Sequence, residues 1–329
     1  MSYARVLHNA LLLPSGKLLV TGGRLGETYV VDSELYSSVT ESWSSTGNMS
    51  FFISAHAAAP LKDGKALITG GFYHEWQPYA GAQLYNPATG TFSSTDQMSY
   101  QRYWHTASTL SDGQVLVTGG CFNAKCSSRT NSAILFNSLT LKFITTADMI
   151  AARSEHTASV LSDGKVLVVG GFGPGGCIDS AELYDPSNKT WIETGYMNDA
   201  RAGHTVSILS GGRVLVSGGI CNNKYINSAE LYDPLTSTWS ITGFMNSARY
   251  GHTASVLTDG KVLVTGGRNN NNVLNTTELY DPATRTWTII ASMANARYFH
   301  IASTLPSGKV IVSGGMDENN NILASAELY

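Results

Sequence analysis

Seven histidines, His8, His56, His105, His156, His204, His252 and His300, recur at intervals of 48, 49, 51, 48, 48 and 48 residues. A neutral imidazole can ligate a metal, relay a proton, or hold a hydrogen bond inside a core. Six of the seven have an arginine three residues upstream (Arg5, Arg102, Arg153, Arg201, Arg249 and Arg297), and the second has Ile53. Metal ligands must converge to about 2 Å from one ion. One histidine from each of seven equivalent units is spread too widely for that, so the pattern points to a structural hydrogen bond repeated in every unit. Glutamates recur as well, at Glu34, Glu182, Glu230, Glu278 and Glu327, and the unit with Ile53 carries Gln83 instead. Arg and Glu of one unit are therefore expected to form a buried ion pair, as in Arg201 with Glu230. Groups suited to proton transfer are few, namely Glu155 and His74. Cys121, Cys126, Cys177 and Cys221 show no Cys-x-x-Cys or zinc spacing, so disulfides and free thiols both stay open. No phosphate-binding loop or Gly-x-Ser-x-Gly element is present.

The elements that position these residues follow from the same period. Fourteen residues after each His stands a Gly-Gly pair, from Gly22-Gly23 to Gly314-Gly315. Between them lie two apolar runs joined by Asp-Gly, Ser-Gly or Gly-Gly, as in His252–Leu257, Asp259-Gly260 and Lys261–Thr265. Such a turn supplies the positive φ that a tight hairpin needs. We label the two strands a and b. A third run, c, ends in Tyr-Asp-Pro, at Tyr184-Asp185-Pro186, Tyr232-Asp233-Pro234 and Tyr280-Asp281-Pro282, and Asp-Pro stops it. An aromatic residue marks a fourth strand, d: Trp43, Phe92, Phe143, Trp191, Trp239 or Trp287. No helical period is visible.

Four-stranded antiparallel units repeated radially make a β-propeller. Arg-x-x-His, the Asp-Gly hairpin, Gly-Gly, Tyr-Asp-Pro and Trp at a period near 50 residues resemble the kelch family over all 329 residues. The expected fold is an all-β, seven-bladed kelch propeller forming one domain over residues 1–329. The pattern departs locally, at Ile53, Gln83 and Asn86 in blade two and at Ile134, Phe136 and Asn137 in blade three. It stops at Tyr329, so blade seven is expected to lack its outer strand. A fragment of a longer chain is the favoured explanation. A naturally three-stranded blade, whose open edge invites pairing, is the other.

Antiparallel order puts the d–a and b–c connections on one face. The b–c connections vary, with 13 residues in blade three against 10 in most others, and variable loops on a repeated scaffold carry specificity. The residues nearest the axis are the two before each His, including Tyr103, Trp104, Glu155, Tyr250, Tyr298 and Phe299. With them stand the first few after each Gly pair, including Arg24, Phe72, Tyr73, Trp76, Phe172, Arg268 and Met316. Aromatics with arginine are typical interface anchors. In kelch propellers that bind peptides these positions contact the ligand, so the resemblance implies that role.

The repeats also resemble those of copper radical oxidases of the galactose oxidase type. That resemblance implies a Tyr directly before an axial His and a Cys–Tyr crosslink. Here Leu7, Ala55, Trp104, Glu155, Gly203, Gly251 and Phe299 precede the histidines, and no Cys lies there. The expected function is a non-catalytic binding or scaffold propeller for a peptide or protein, without cofactor or metal. Carbohydrate binding is the alternative, and an oxidase-like enzyme is the more distant one. Net charge is −3 with no basic run, which speaks against nucleic acid as partner. No run approaches the roughly 20 apolar residues that span a bilayer. A monomer is expected. The loop cysteines and three Asn-x-Ser/Thr triplets, at Asn48, Asn188 and Asn275, lean toward secretion only if a leader has been lost, so localisation stays open.

Overall fold

The computed structural model describes residues 1–329, the side chain of Glu75 excepted. Six four-stranded antiparallel sheets and one three-stranded sheet are arranged in chain order. Blade five is representative. Its strands are Thr205–Ile208, Val214–Ser217, Ala229–Asp233 and Thr238–Ile241. Strand a pairs with b from Thr205↔Ser217, b with c from Val214↔Tyr232, and c with d from Glu230↔Ile241. Strand a of each blade packs on strand a of the next, and Ile301–Thr304 of blade seven packs back on Asn9–Leu12, closing the ring. Blade seven stops at strand c, Ala326–Leu328. Helical backbone among the described residues is limited to two single 3-10 turns, His74–Trp76 and Ala124–Cys126.

Burial explains the sequence of each strand. Strand b is covered on both sides by neighbouring blades, so Val214, Leu215, Val216 and Ser217 are all buried, and the run is continuously apolar rather than alternating. Strand d is outermost, with only its aromatic turned inward. The core is accordingly divided into seven seams between blades. In one, Leu167, Val169, Leu183 and Met197 of blade four and its exit meet Val214, Val216 and Tyr232 of blade five.

Polar bonds recur from seam to seam. Trp239 Nε1 donates to the Gly195 carbonyl at 2.7 Å, and the Tyr232 hydroxyl meets that of Thr194 at 2.7 Å. Six of the seven axial histidines, all but His8, place Nε2 2.8 to 3.1 Å from a threonine hydroxyl of the preceding blade. The Gly-Gly pair makes room for this. Gly218 has φ +66°, and a Cβ there would lie 2.6 Å from His252 Cε1 and 2.7 Å from the Arg249 carbonyl.

The expected ion pair is present in five blades, between fully buried arginines and Glu34, Glu182, Glu230, Glu278 and Glu327, at 2.5 to 2.9 Å. Arg201 also donates to the carbonyls of Gly218 and Ser228, at 2.9 Å each. Glu230 in turn accepts the backbone N–H groups of Asn198 and Asp199 at 2.7 and 3.0 Å, tying down the connection that enters the blade. Blade three does without the carboxylate. Arg102 uses the Gly119 and Ser132 carbonyls and Ser132 Oγ, and burial pushes its pKa down to about 10, with Asp148 opposing.

Candidate functional site

The mouth of the axis is built on two backbone regularities. In every blade the residue two before the His forms a β-bridge with the first residue after the Gly pair. These bridges are Val6↔Arg24, Ser54↔Phe72, Tyr103↔Cys121, Ser154↔Phe172, Ala202↔Ile220, Tyr250↔Arg268 and Tyr298↔Met316. The residue directly before the His has positive φ in all seven blades, from +51° at Ala55 to +65° at Gly251. Only two of the seven are glycine. A non-glycine residue in this region is uncommon, and such strain persists where the surroundings fix it.

Here the surroundings include main-chain bonds between consecutive blades at five of the seven steps. Ala55 N–H donates to Leu7 C=O, Trp104 to Ala55, Glu155 to Trp104, Gly203 to Glu155, and Phe299 to Gly251, at 2.8 to 3.1 Å. The side chains of Leu7, Ala55, Trp104, Glu155 and Phe299 therefore surround an axial cavity of about 280 Å³, with His8, His156, His204 and His300 among its walls. Burial and neighbouring arginines hold these histidines neutral, with His204 and His300 pushed down to about 3.

Glu155 is the one carboxylate lining this cavity. Burial pushes its carboxyl up to about 7, against the opposing effects of a hydrogen bond from Tyr250 and the charge of Arg129. The Tyr250 hydroxyl donates to Glu155 Oε2 at 2.8 Å, joining blades six and four. It crosses blade five because Gly203 is there. A Cβ at Gly203 would lie 2.2 Å from the Tyr250 ring.

Aromatic residues surround this centre unevenly. On one side Phe72 stacks on Trp76 at 4.4 Å, and Trp104 lies 6.1 Å from Trp76 and 5.2 Å from Tyr103. On the other, Phe299 lies 5.4 Å from Tyr250 and 5.1 Å from Tyr298. Three guanidinium groups lie over rings, Arg24 on Trp76 at 5.5 Å, Arg129 on Phe172 at 5.8 Å and Arg268 on Tyr298 at 5.2 Å. None of the three is in an ion pair among the described residues.

Of the residues singled out from the sequence, Phe72, Tyr103 and Tyr298 are buried and support the layer above. Arg24, Trp76, Trp104, Glu155, Phe172, Tyr250, Arg268, Phe299 and Met316 are half-buried at the mouth, and Tyr73 is exposed at its edge. Arg129 escaped sequence reasoning. The signal available was the greater length of the blade-three connection that carries it. Sequence spacing also gave no hint that Glu155 and Tyr250 meet. His74 lies instead on an off-axis pocket of about 340 Å³ with Tyr29, Phe51, Phe52, Ile53 and Tyr79. All four cysteines are paired. Cys121–Cys126 closes the blade-three connection, and Cys177–Cys221 ties the connections of blades four and five.

No three His, Cys, Asp or Glu side chains converge to hold a metal among the described residues. Six of the seven axial imidazoles spend Nε2 on threonines, so this donor set does not fit a copper ion. No helix is long and apolar enough to cross a membrane.

Comparison with known proteins adds the following. No curated protein matches the sequence. Among solved structures, a fungal alcohol oxidase of the AA5 family in complex with copper superposes with a TM-score of 0.81 at 17 % identity, covering 99 % of this chain and 74 % of that one. At that identity the likeness shows the fold alone. A family model for the Attractin/LZTR1 beta-propeller matches residues 184–329. A model described as the KLHDC2/KLHL20/DRC7 Kelch-repeats domain matches residues 55–246, more than half of the chain. With its seven Gly-Gly pairs, its Tyr–Trp contacts and this match, the chain belongs to the kelch-repeat propeller family.

Proposed function

We propose that this protein is a non-catalytic binding propeller that engages a peptide or protein segment through the axial mouth. Kelch propellers typically serve as protein-interaction scaffolds. One observation carries the reading. A backbone conformation repeated in all seven blades presents varied side chains around the axis, beside three arginines laid on aromatic rings and free of ion pairs among the described residues. Rigid aromatics beside Arg are the residues that dominate binding energy at protein interfaces. The one hydroxyl–carboxylate pair at the mouth is Tyr250 with Glu155, and burial pushes the Tyr250 hydroxyl up, away from an activated nucleophile, so a binding role accounts for the constellation better than catalysis does.

Panning a displayed random-peptide library against the wild type and Trp104→Ala tests this. Enrichment on the wild type, lost or reduced by at least about 10-fold in a variant of unchanged melting temperature, is the expected result. Enrichment indifferent to Trp104 removes the mouth from the proposal. No enrichment, together with selective binding on a glycan array, replaces the peptide by a carbohydrate.

A further inference from the structure

We propose that the axial cavity receives one cationic side chain of the bound segment, with Glu155 as its anion and Trp104 and Phe299 as its aromatic walls. The inference rests on the reading of the mouth as a peptide-binding surface and names the chemistry of its central subsite.

Three observations lead to it. First, the cavity carries a single sign of charge. Its ionisable lining is Glu155 and four histidines, and burial keeps those histidines neutral. Second, the carboxylate is only partly satisfied. Tyr250 donates to Oε2, and no hydrogen bond to Oε1 is formed among the described residues. The charge of Arg129 acts on Glu155, but Arg129 lies over Phe172 and makes no ion pair with Glu155. A carboxylate in such a place is costly unless a cation joins it. Third, the walls suit a cation. Trp104 and Phe299 both line the cavity with Glu155, and an ammonium or guanidinium gains from an indole or phenyl face most when desolvated. A volume of about 280 Å³ fits one side chain rather than a larger ligand.

The same geometry disfavours an anion at the axis. The arginines that would receive one stand on outer rings, with Arg24 over Trp76 and Arg268 over Tyr298. The bound segment is therefore expected to place a Lys or Arg at the centre and, where it has them, acidic residues outside.

The test combines the peptide library with two small probes, Nα-acetyl-lysine methylamide and its neutral counterpart Nα-acetyl-norleucine methylamide, titrated by tryptophan fluorescence. Enriched peptides should share a Lys or Arg at one fixed position. The lysine probe should bind about 10-fold more tightly than the norleucine probe. Glu155→Gln should abolish that difference, whatever its effect on norleucine binding. Acidification from pH 8 to pH 6 should weaken only the lysine probe, because protonation removes the Glu155 charge. Beside the Arg129 guanidinium, the groups facing Glu155 are Tyr250, His156 and His204, and these three keep their charge state over that range.

Enriched peptides without a basic residue, or equal binding of the two probes, would overturn the cationic subsite and leave the peptide-binding reading standing. A lysine preference without any peptide enrichment would keep the subsite, as a receptor for small amines, and remove the peptide reading. Failure of both would remove both.

Discussion

Two rings of adjacent residues meet at the axis and behave in opposite ways. The histidine ring is the same in every blade, and its imidazoles are buried and neutral, with Nε2 of six of them on a threonine of the preceding blade. The ring one residue earlier shares a single backbone conformation but holds Leu7, Ala55, Trp104, Glu155, Gly203, Gly251 and Phe299. Repetition follows from the task. A seam between blades poses the same packing and hydrogen-bonding problem seven times, and it is solved seven times alike. The open mouth poses no such problem, so its residues are free to differ, and their differences can encode a ligand. Changes in the framework ring and its arginines should therefore cost stability, and changes in the upper ring should cost binding.

The largest expected effect lies in the framework. Arg201→Met leaves Glu230 buried without its cation and should cost about 3–5 kcal/mol in chemical denaturation. Blade two shows how the same position survives without charge. Ile53 replaces the arginine, and Gln83 Oε1 still accepts the Ser50 N–H at 2.8 Å. Installing that pair, as Arg201→Ile with Glu230→Gln, should cost clearly less than the sum of the two single changes. Additive losses would mean that the pair is uncoupled.

Acid should act on the framework next. A histidine held at about 3 or 4 in the fold, against 6.5 in the unfolded chain, contributes stability that is fully present above pH 6.5. As pH falls below 6.5 the unfolded state binds the proton first, and each such histidine costs about 1.4 kcal/mol per pH unit until its folded pKa is reached. The melting temperature should drop steeply between pH 6.5 and 4. A flat profile there would show that the ring is not held neutral.

The smallest stability effect belongs to the upper ring and has the opposite sign. The pKa of Glu155 is raised to about 7 in the fold from 4.5. Its contribution is fully present below pH 4.5 and is lost as pH rises through 7. Glu155→Gln should thus melt higher than the wild type at pH 8 and show no such gain at pH 4.5, measured by calorimetry. Destabilisation at both pH values would assign Glu155 to the framework and blur the distinction between the rings.

Much of the framework was legible because repetition multiplies a weak local signal. One Arg-x-x-His or one Gly-Gly means little, whereas seven in register fix the hairpins, the blade count and the Arg–Glu partners, as Arg201 and Glu230 show. The candidate site was legible only in part. Trp104, Glu155 and Phe299 were placed at the mouth by their offset from the histidines. Burial of Phe72 and Tyr103 was not readable, because it depends on how Trp76 and the Cys121–Cys126 loop pack against them, and that of Tyr298 depends on Phe299 and Arg268 beside it.

The sequence by itself determined the seven-bladed ring and the strand order, because period, turn chemistry and strand patterning are local properties of the chain. Only the tertiary structure decided that Tyr250 reaches Glu155 across Gly203, and that Arg24, Arg129 and Arg268 lie over aromatic rings. Those contacts join residues as far as 95 positions apart. They arise where the ring closes and brings different blades to one axis, a juxtaposition that no spacing within a single repeat contains.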